Sequence, residues 1–141
     1  MTASPTGPPT PLPLIRLNEF LPDPDQIDWN GDGALNSDDS WIEVVSLATE
    51  PVDLTGWALD DIPGGTKPYT FTAGTLLPPG GFLLRFRATT KVALNIDGDT
   101  VRLLAPDGRE VDSYSYTRSH PDHSFGRAAD GVGDWIESRV T

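Results

Sequence analysis

The sequence contains no cysteine, so it can form neither disulfides nor thiolate metal centres. No apolar run approaches the roughly 20 residues that a membrane-spanning helix needs. The N-terminus also lacks the basic and apolar regions of a signal peptide. A small domain without disulfides often gains stability from a bound metal instead.

Basic residues are scarce. Ten Lys and Arg face 21 Asp and Glu, which gives a formal net charge of −11. Such a charge repels phosphate backbones and anionic lipid surfaces, so we expect neither nucleic-acid binding nor membrane insertion. The same charge attracts cations.

Helical periodicity is missing as well, because no window sustains apolar residues at spacings of three and four. Short apolar runs instead alternate with turns supplied by 14 Gly and 14 Pro. The runs cover residues 14–20, 41–47, 54–59, 69–71, 82–87, 100–104, 110–116 and 124–136. This pattern predicts an all-β sandwich or barrel.

The aromatic residues are predicted to form the core rather than a sugar-binding platform. Trp57 is the expected core tryptophan, with Phe82, Phe86, Tyr114 and Trp135 near it. The Pro- and Thr-rich residues 1–13 are predicted to be a linker. The domain is then expected to span residues 14–141.

Residues 28–39, hereafter the calcium loop, have the spacing of a calcium-binding loop. Calcium prefers roughly six to eight oxygen ligands, and a loop of this length can surround it. Asp28, Asn30 and Asp32 offer side-chain oxygens at loop positions 1, 3 and 5. Gly33 occupies position 6, where the chain must turn sharply. Magnesium fits less well because it retains its waters.

The second half of the loop completes the pattern. Position 7 contributes a backbone carbonyl, here that of Ala34, and Asn36 at position 9 reaches the ion directly or through water. Asp39 at position 12 replaces the usual Glu, and Leu35 is expected to point inward. Four nearby carboxylates are left open as additional ligands: Asp23, Asp25, Asp38 and Glu43. The competing interpretation is a solvated acidic turn.

The calcium loop resembles those of dockerins and EF-hands, but its flanks do not. Pro24 precludes a helix before the loop, and the β-branched residues 41–45 predict a strand after it. Dockerins also carry two such loops. We therefore predict a single loop inserted between the first two strands of a β-fold.

Stretches along most of the chain resemble, in order, the lamin tail domain family. They are residues 15–20, 41–44, 52–61, 77–82, 98–103, 111–116 and 124–127, followed by Asp130-Gly131 and Trp135. The resemblance implies an immunoglobulin-like β-sandwich and a non-catalytic module. In animals such domains end lamin chains; in bacteria they resemble accessory domains of secreted or surface proteins, some of which carry nuclease or hydrolase domains.

Two other polar segments are weighed and set aside. Residues 119–124 contain Ser, His and Asp together, but adjacent residues seldom form a catalytic triad. Its two imidazoles could bind zinc, yet no third ligand is evident in the sequence. Residues 95–99 are predicted to be a turn rather than a second cation site. No catalytic residue is assigned.

Two functions remain open. The first is a calcium-binding structural or adhesive module of a larger secreted or cell-surface bacterial protein. The alternative is an accessory domain that targets a secreted hydrolase or nuclease to a polymer, which an exposed row of aromatic side chains would favour. In either case we expect an extracellular or cell-surface domain that is monomeric and is not an enzyme. We expect it to bind Ca²⁺. A protein or polysaccharide partner is possible, but the sequence does not identify one.

Overall fold

The computed structural model describes residues 12–139, so the predicted linker lies almost wholly outside the described residues. Antiparallel strands are the main regular elements of the described part. They are β1 (Ile15–Leu21), β2 (Trp41–Ser46), β3 (Val52–Asp53), β4 (Ala58–Asp60), β5 (Tyr69–Thr70), β6 (Leu76–Leu77), β7 (Phe82–Phe86), β8 (Asp99–Leu104), β9 (Glu110–Tyr116), β10 (His123–Ala129) and β11 (Val132–Arg139). Residues 12–139 include one short α-helix, α1 (Arg87–Thr90), and a 3-10 turn at Ser37–Asp39. Within that range no helix has the length and apolarity to cross a membrane.

Two main sheets form an immunoglobulin-like sandwich. The first has five strands in the order β11-β10-β1-β2-β7, and the second has four in the order β5-β4-β8-β9. β3 and β6 form a separate pair. The predicted all-β, immunoglobulin-like sandwich is therefore confirmed, and residues 28–39 lie between β1 and β2. Binding of calcium by these residues stays a prediction.

The core lies between the two main sheets because strand side chains alternate between faces. Val101 and Leu103 in β8 are both fully buried, since residues two apart in a strand lie on the same face. Buried side chains contributed by the five-stranded sheet meet those of the four-stranded sheet in one cluster. Its members include Ile15, Leu17, Phe20, Ile42, Val44, Trp57, Leu59, Val101, Leu103, Tyr116 and Phe125.

A buried polar bridge also joins the two sheets. The register of β1 shifts between Leu17 and Glu19, so part of the β1 backbone is free to bond outside the ladder. The Asp112 carboxylate accepts the Leu17 N–H at 2.9 Å, and Arg127 Nε donates to the Leu17 carbonyl at 3.0 Å. Arg127 also pairs with Asp112 at 2.7 Å and lies over the ring of Trp135 at 4.8 Å. Three strands are thereby held at one point.

The predicted strands agree with the observed ones except near residues 54–59. Leu54 to Trp57 form a turn, closed by a 3.0 Å bond from the Trp57 N–H to the Leu54 carbonyl. Gly56 there has φ of +84°, which only Gly adopts without strain. The strand is therefore limited to β4, and neither of the two-residue strands β3 and β6 was predicted.

Trp57 is buried, which confirms its predicted place in the core. Phe82 was predicted wrongly, since half of its side chain is exposed. The reason is that β7 is an edge strand, where only one side has a neighbour. Tyr114 and Trp135 stack on one another at 4.7 Å and pack against the core cluster.

Candidate functional site

The calcium loop is part of the connection between the end of β1 and the start of β2. Leu21 and Trp41 form the last pair of the ladder, and Ser40 Oγ donates to the Leu21 carbonyl at 2.9 Å. Trp29, inside the loop, packs edge-on against Trp41 with ring centroids 5.7 Å apart. The loop is thus attached to the strands at its base and through one aromatic contact.

The first half of the loop is wound around the Asp28 carboxylate. Asp28 Oδ1 accepts the Gly31 N–H at 3.0 Å, and its Oδ2 accepts the Gly33 N–H at 2.7 Å. Gly31 and Gly33 have φ of +72° and +86°, so the sharp turn predicted at Gly33 is present. Asp32 Oδ1 accepts the Ala34 N–H at 2.9 Å, which continues the same turn.

Asp39 closes the loop from the other end. Its buried carboxylate accepts the Asn30 N–H at 3.1 Å and the Asn36 N–H at 3.2 Å. Asn36 Oδ1 in turn accepts the Asp38 N–H at 3.0 Å and caps the 3-10 turn. The last residue of the loop is therefore bonded to its third and ninth residues.

These turns bring three carboxylates together. Oxygens of Asp28, Asp32 and Asp39 all lie within 4.8 Å of one another. Two like charges about 4 Å apart repel by about 1 kcal/mol in bulk water and by more near a protein surface, so a cation placed between them would relieve the repulsion. Hard oxygen donors of this kind suit a hard cation such as Ca²⁺ rather than a soft metal ion that prefers thiolate ligands.

The other sequence-predicted residues divide into two groups. Asn30, Ala34 and Asn36 are linked to the three carboxylates through their backbone N–H groups, while Asp38, Asp23, Asp25 and Glu43 lie outside the carboxylate group among the described residues. Leu35 was predicted wrongly: it is 56% exposed. No helix flanks the loop to receive its side chain.

The surroundings of the loop are strongly acidic. Burial raises the pKa of Asp23 above its ordinary value, and the carboxylates of Asp25 and Asp122 raise it further. Burial likewise raises the pKa of Glu43, although Asn18 Nδ2 opposes this by donating to its carboxylate at 2.9 Å. The negative potential favours cations over anions at this end of the sandwich.

The residues of the 119–124 segment are bonded to other parts of the chain rather than to each other. Ser119 Oγ donates to the Ile96 carbonyl at 2.9 Å. The Asp122 carboxylate accepts the Asp25 and Gln26 N–H groups at 2.9 and 2.8 Å. A serine-histidine-aspartate triad is not assembled from these side chains.

The structure brings a carboxylate to the two histidines of the 119–124 segment. Glu137 Oε2 lies 2.6 Å from His120 Nδ1 and 3.3 Å from His123 Nδ1. Glu137 was not predicted from the sequence because it belongs to β11, whose pairing with β10 sets it opposite Phe125. A signal was present in the sequence, because Asp130-Gly131 between two candidate strands predicts a hairpin.

Residues 95–99 form a turn, as predicted. Asp99 Oδ2 accepts the Asn95 N–H at 3.0 Å, and its Oδ1 accepts the Thr100 N–H at 2.8 Å. Both carboxylate oxygens therefore serve the backbone.

Comparison with known protein families finds one match, which covers most of the chain. The profile of the lamin tail domain family matches residues 8–118, which include β1 through β9 and the calcium loop. Comparison with curated proteins finds no significant match. Lamin tail domains are immunoglobulin-like, non-catalytic modules, in agreement with the sandwich described above. On this match, the chain belongs to the lamin tail domain family.

Proposed function

We propose that this lamin tail domain is a calcium-binding structural or adhesive module of a larger secreted or cell-surface bacterial protein. The observation that supports it is the convergence of Asp28, Asp32 and Asp39 within 4.8 Å. Calcium-binding modules of extracellular proteins typically have a Kd of about 0.1–1 mM. The free calcium concentration outside cells is of the same order as this Kd. An extracellular location would therefore keep the loop occupied.

The proposed ligands are the six that the loop pattern contains. Three are the carboxylates of Asp28, Asp32 and Asp39, and the others are the side-chain oxygens of Asn30 and Asn36 and the carbonyl of Ala34. Calcium would offset two of the three negative charges of these carboxylates and hold the two halves of the loop together. Because the loop leads directly into β2, its ordering would hold the start of that strand against β1.

Calcium titration tests this proposal. We expect calorimetry on chelator-stripped protein to give one Ca²⁺ per chain with a Kd of about 0.1–1 mM or somewhat tighter. Trp29 provides a second readout, since its ring packs on Trp41 and its fluorescence should respond to ordering of the loop. Magnesium at the same concentration should give a much weaker response, as it resists losing its waters.

Two matched variants make the titration specific. Asp32→Asn removes a carboxylate from the group of three, and Asp38→Asn removes one charge from the same loop but outside that group. Asp32 is exposed and bonds only within the loop, so the substitution should not disturb the sandwich. Weaker calcium binding is expected in Asp32→Asn, which keeps one side-chain oxygen but loses a charge, and near-normal binding is expected in Asp38→Asn. A flat titration of the unmodified chain would refute the proposal.

The domain is further proposed to be non-catalytic. We expect the purified chain to show no hydrolase or nuclease activity and no DNA binding that survives physiological salt, because its charge of −11 repels phosphates. Assays with and without calcium would check this. Calcium-dependent cleavage that disappears in His123→Ala would contradict it.

The polymer-targeting alternative has less support. An aromatic binding platform needs several exposed rings in a row, but most aromatic side chains within residues 12–139 are buried or half-buried. Among the aromatic residues of the described part, Phe82 is the most exposed, at 50%. A structural or adhesive role is accordingly preferred.

A further inference from the structure

We propose that His120, His123 and Glu137 form a second metal site, distinct from the calcium loop, that binds Zn²⁺. Two imidazole nitrogens and one carboxylate are ligands that suit zinc, whereas calcium and magnesium prefer oxygen alone. The three residues lie outside the stretch that matches the lamin tail family. The site would therefore be a property of this chain rather than of the family profile.

The distances already approach those of a metal site. His123 Nδ1 lies 3.3 Å from Glu137 Oε2, and His120 Nδ1 lies 2.6 Å from the same oxygen. Tetrahedral ligands about 2.0 Å from zinc are about 3.3 Å apart. All three ligand atoms lie within 4.8 Å of one another, so the His120 ring needs only a small outward movement to admit the ion.

The backbone brings the two histidines together. The His123 N–H donates to the His120 carbonyl at 3.1 Å, which closes a tight turn. Asp122 within that turn has φ of +56°, a conformation that Asp tolerates better than most residues. The rings of His120 and His123 are consequently neighbours, with centroids 5.4 Å apart.

The turn is also anchored to the rest of the domain. Asp122 is buried, its N–H donates to the Asp23 carbonyl at 2.8 Å, and its carboxylate accepts the Asp25 and Gln26 N–H groups. On the other side, pairing of β10 with β11 holds Glu137. A preorganised ligand set loses less entropy on binding.

The ligands remain accessible to an ion. The His120 side chain is 48% exposed, and those of His123 and Glu137 are each 30% exposed. Three protein ligands leave at least one zinc coordination position for water. The competing interpretation is a pair of histidine–carboxylate hydrogen bonds with no metal, and the experiment below separates the two.

Zinc titration of the untagged full chain tests the proposal. With millimolar calcium present to occupy the calcium loop, calorimetry with ZnCl₂ should give one zinc per chain. His120→Ala, His123→Ala and Glu137→Gln should each weaken zinc binding by at least about 10-fold, since even residues that only support a metal ligand contribute that much. Nitrogen NMR should show the Nδ1 resonances of both rings shifting on zinc addition.

Two controls locate the ion. Asp134→Asn removes an exposed carboxylate from the same strand as Glu137, and it should leave zinc affinity unchanged. Asp32→Ala should also leave it unchanged, because that residue belongs to the calcium loop. Melting temperatures near that of the unmodified chain would show that the variants are folded. Absence of zinc binding, its persistence in His123→Ala, or its loss in Asp32→Ala would overturn the proposal.

Discussion

Arg127→Ala is expected to lower the free energy of unfolding by about 3 kcal/mol. The substitution leaves the Asp112 carboxylate, only 12% exposed, without its cationic partner, and breaking a buried ion pair typically costs about 3–5 kcal/mol. It also removes the donor to the Leu17 carbonyl and uncovers Trp135. Urea unfolding followed by tryptophan fluorescence would measure the change.

The chain contains a matched control for this prediction. Arg109 pairs with Asp107 at the same 2.7 Å, but its side chain is 44% exposed, and exposed pairs contribute about 1 kcal/mol or less. Arg109→Ala should therefore have a small effect. Arg127→Lys should lower the free energy of unfolding by an intermediate amount. A single ammonium group cannot bond both the Asp112 carboxylate and the Leu17 carbonyl as the planar guanidinium does. Equal effects of Arg127→Ala and Arg109→Ala would contradict the assigned role.

Removal of calcium is expected to lower the melting temperature by about 10 °C while leaving the sandwich folded. Binding to the folded state alone contributes about 2.7 kcal/mol when calcium exceeds its Kd by about 100-fold, and a domain of this size loses about 4 °C per kcal/mol. Differential scanning calorimetry in calcium and in chelator would measure the shift. Far-UV dichroism should change little at room temperature, because the core strands lie outside the loop.

The location of the effect distinguishes local stabilisation from a conformational switch. Without the ion, Asp28, Asp32 and Asp39 repel one another, so hydrogen exchange should accelerate in residues 23–41 and little elsewhere. Asp32→Ala should reproduce this state and make the melting temperature insensitive to calcium. EF-hand sensors move two helices, and no such pair flanks this loop. An unchanged melting temperature, or a large calcium-driven change in small-angle scattering, would contradict the mechanism.

The β-architecture could be predicted from the sequence because strand formation depends on local patterns. Alternating residues such as Val101 and Leu103 reveal a buried face, and Gly-containing turns mark the ends of strands. The family resemblance added the immunoglobulin-like topology, which periodicity alone could not distinguish from a barrel. The prediction for Phe82 was wrong because the position of a strand within its sheet is not a local property.

Within the calcium loop, too, some features depend on nearby residues and others depend on the surrounding fold. Its ligand spacing and the positive φ of Gly33 follow from residues close together in sequence, so the geometry of the loop could be predicted. Binding of the ion itself stays a prediction. The inward position expected for Leu35 was wrong, since it depended on flanking elements that this fold does not have.

Residues close together in the sequence account for the strands, the turns and the spacing of the acidic residues in segment 28–39, and composition alone accounts for the net negative charge. Only the tertiary structure brought Glu137 to His120 and His123, and Asp112 with Arg127 to Leu17. In the second set the partners lie 95 and 110 residues from Leu17. Contacts over such separations are decided by which strands pair and how two sheets pack, and these leave no periodic signal in the chain.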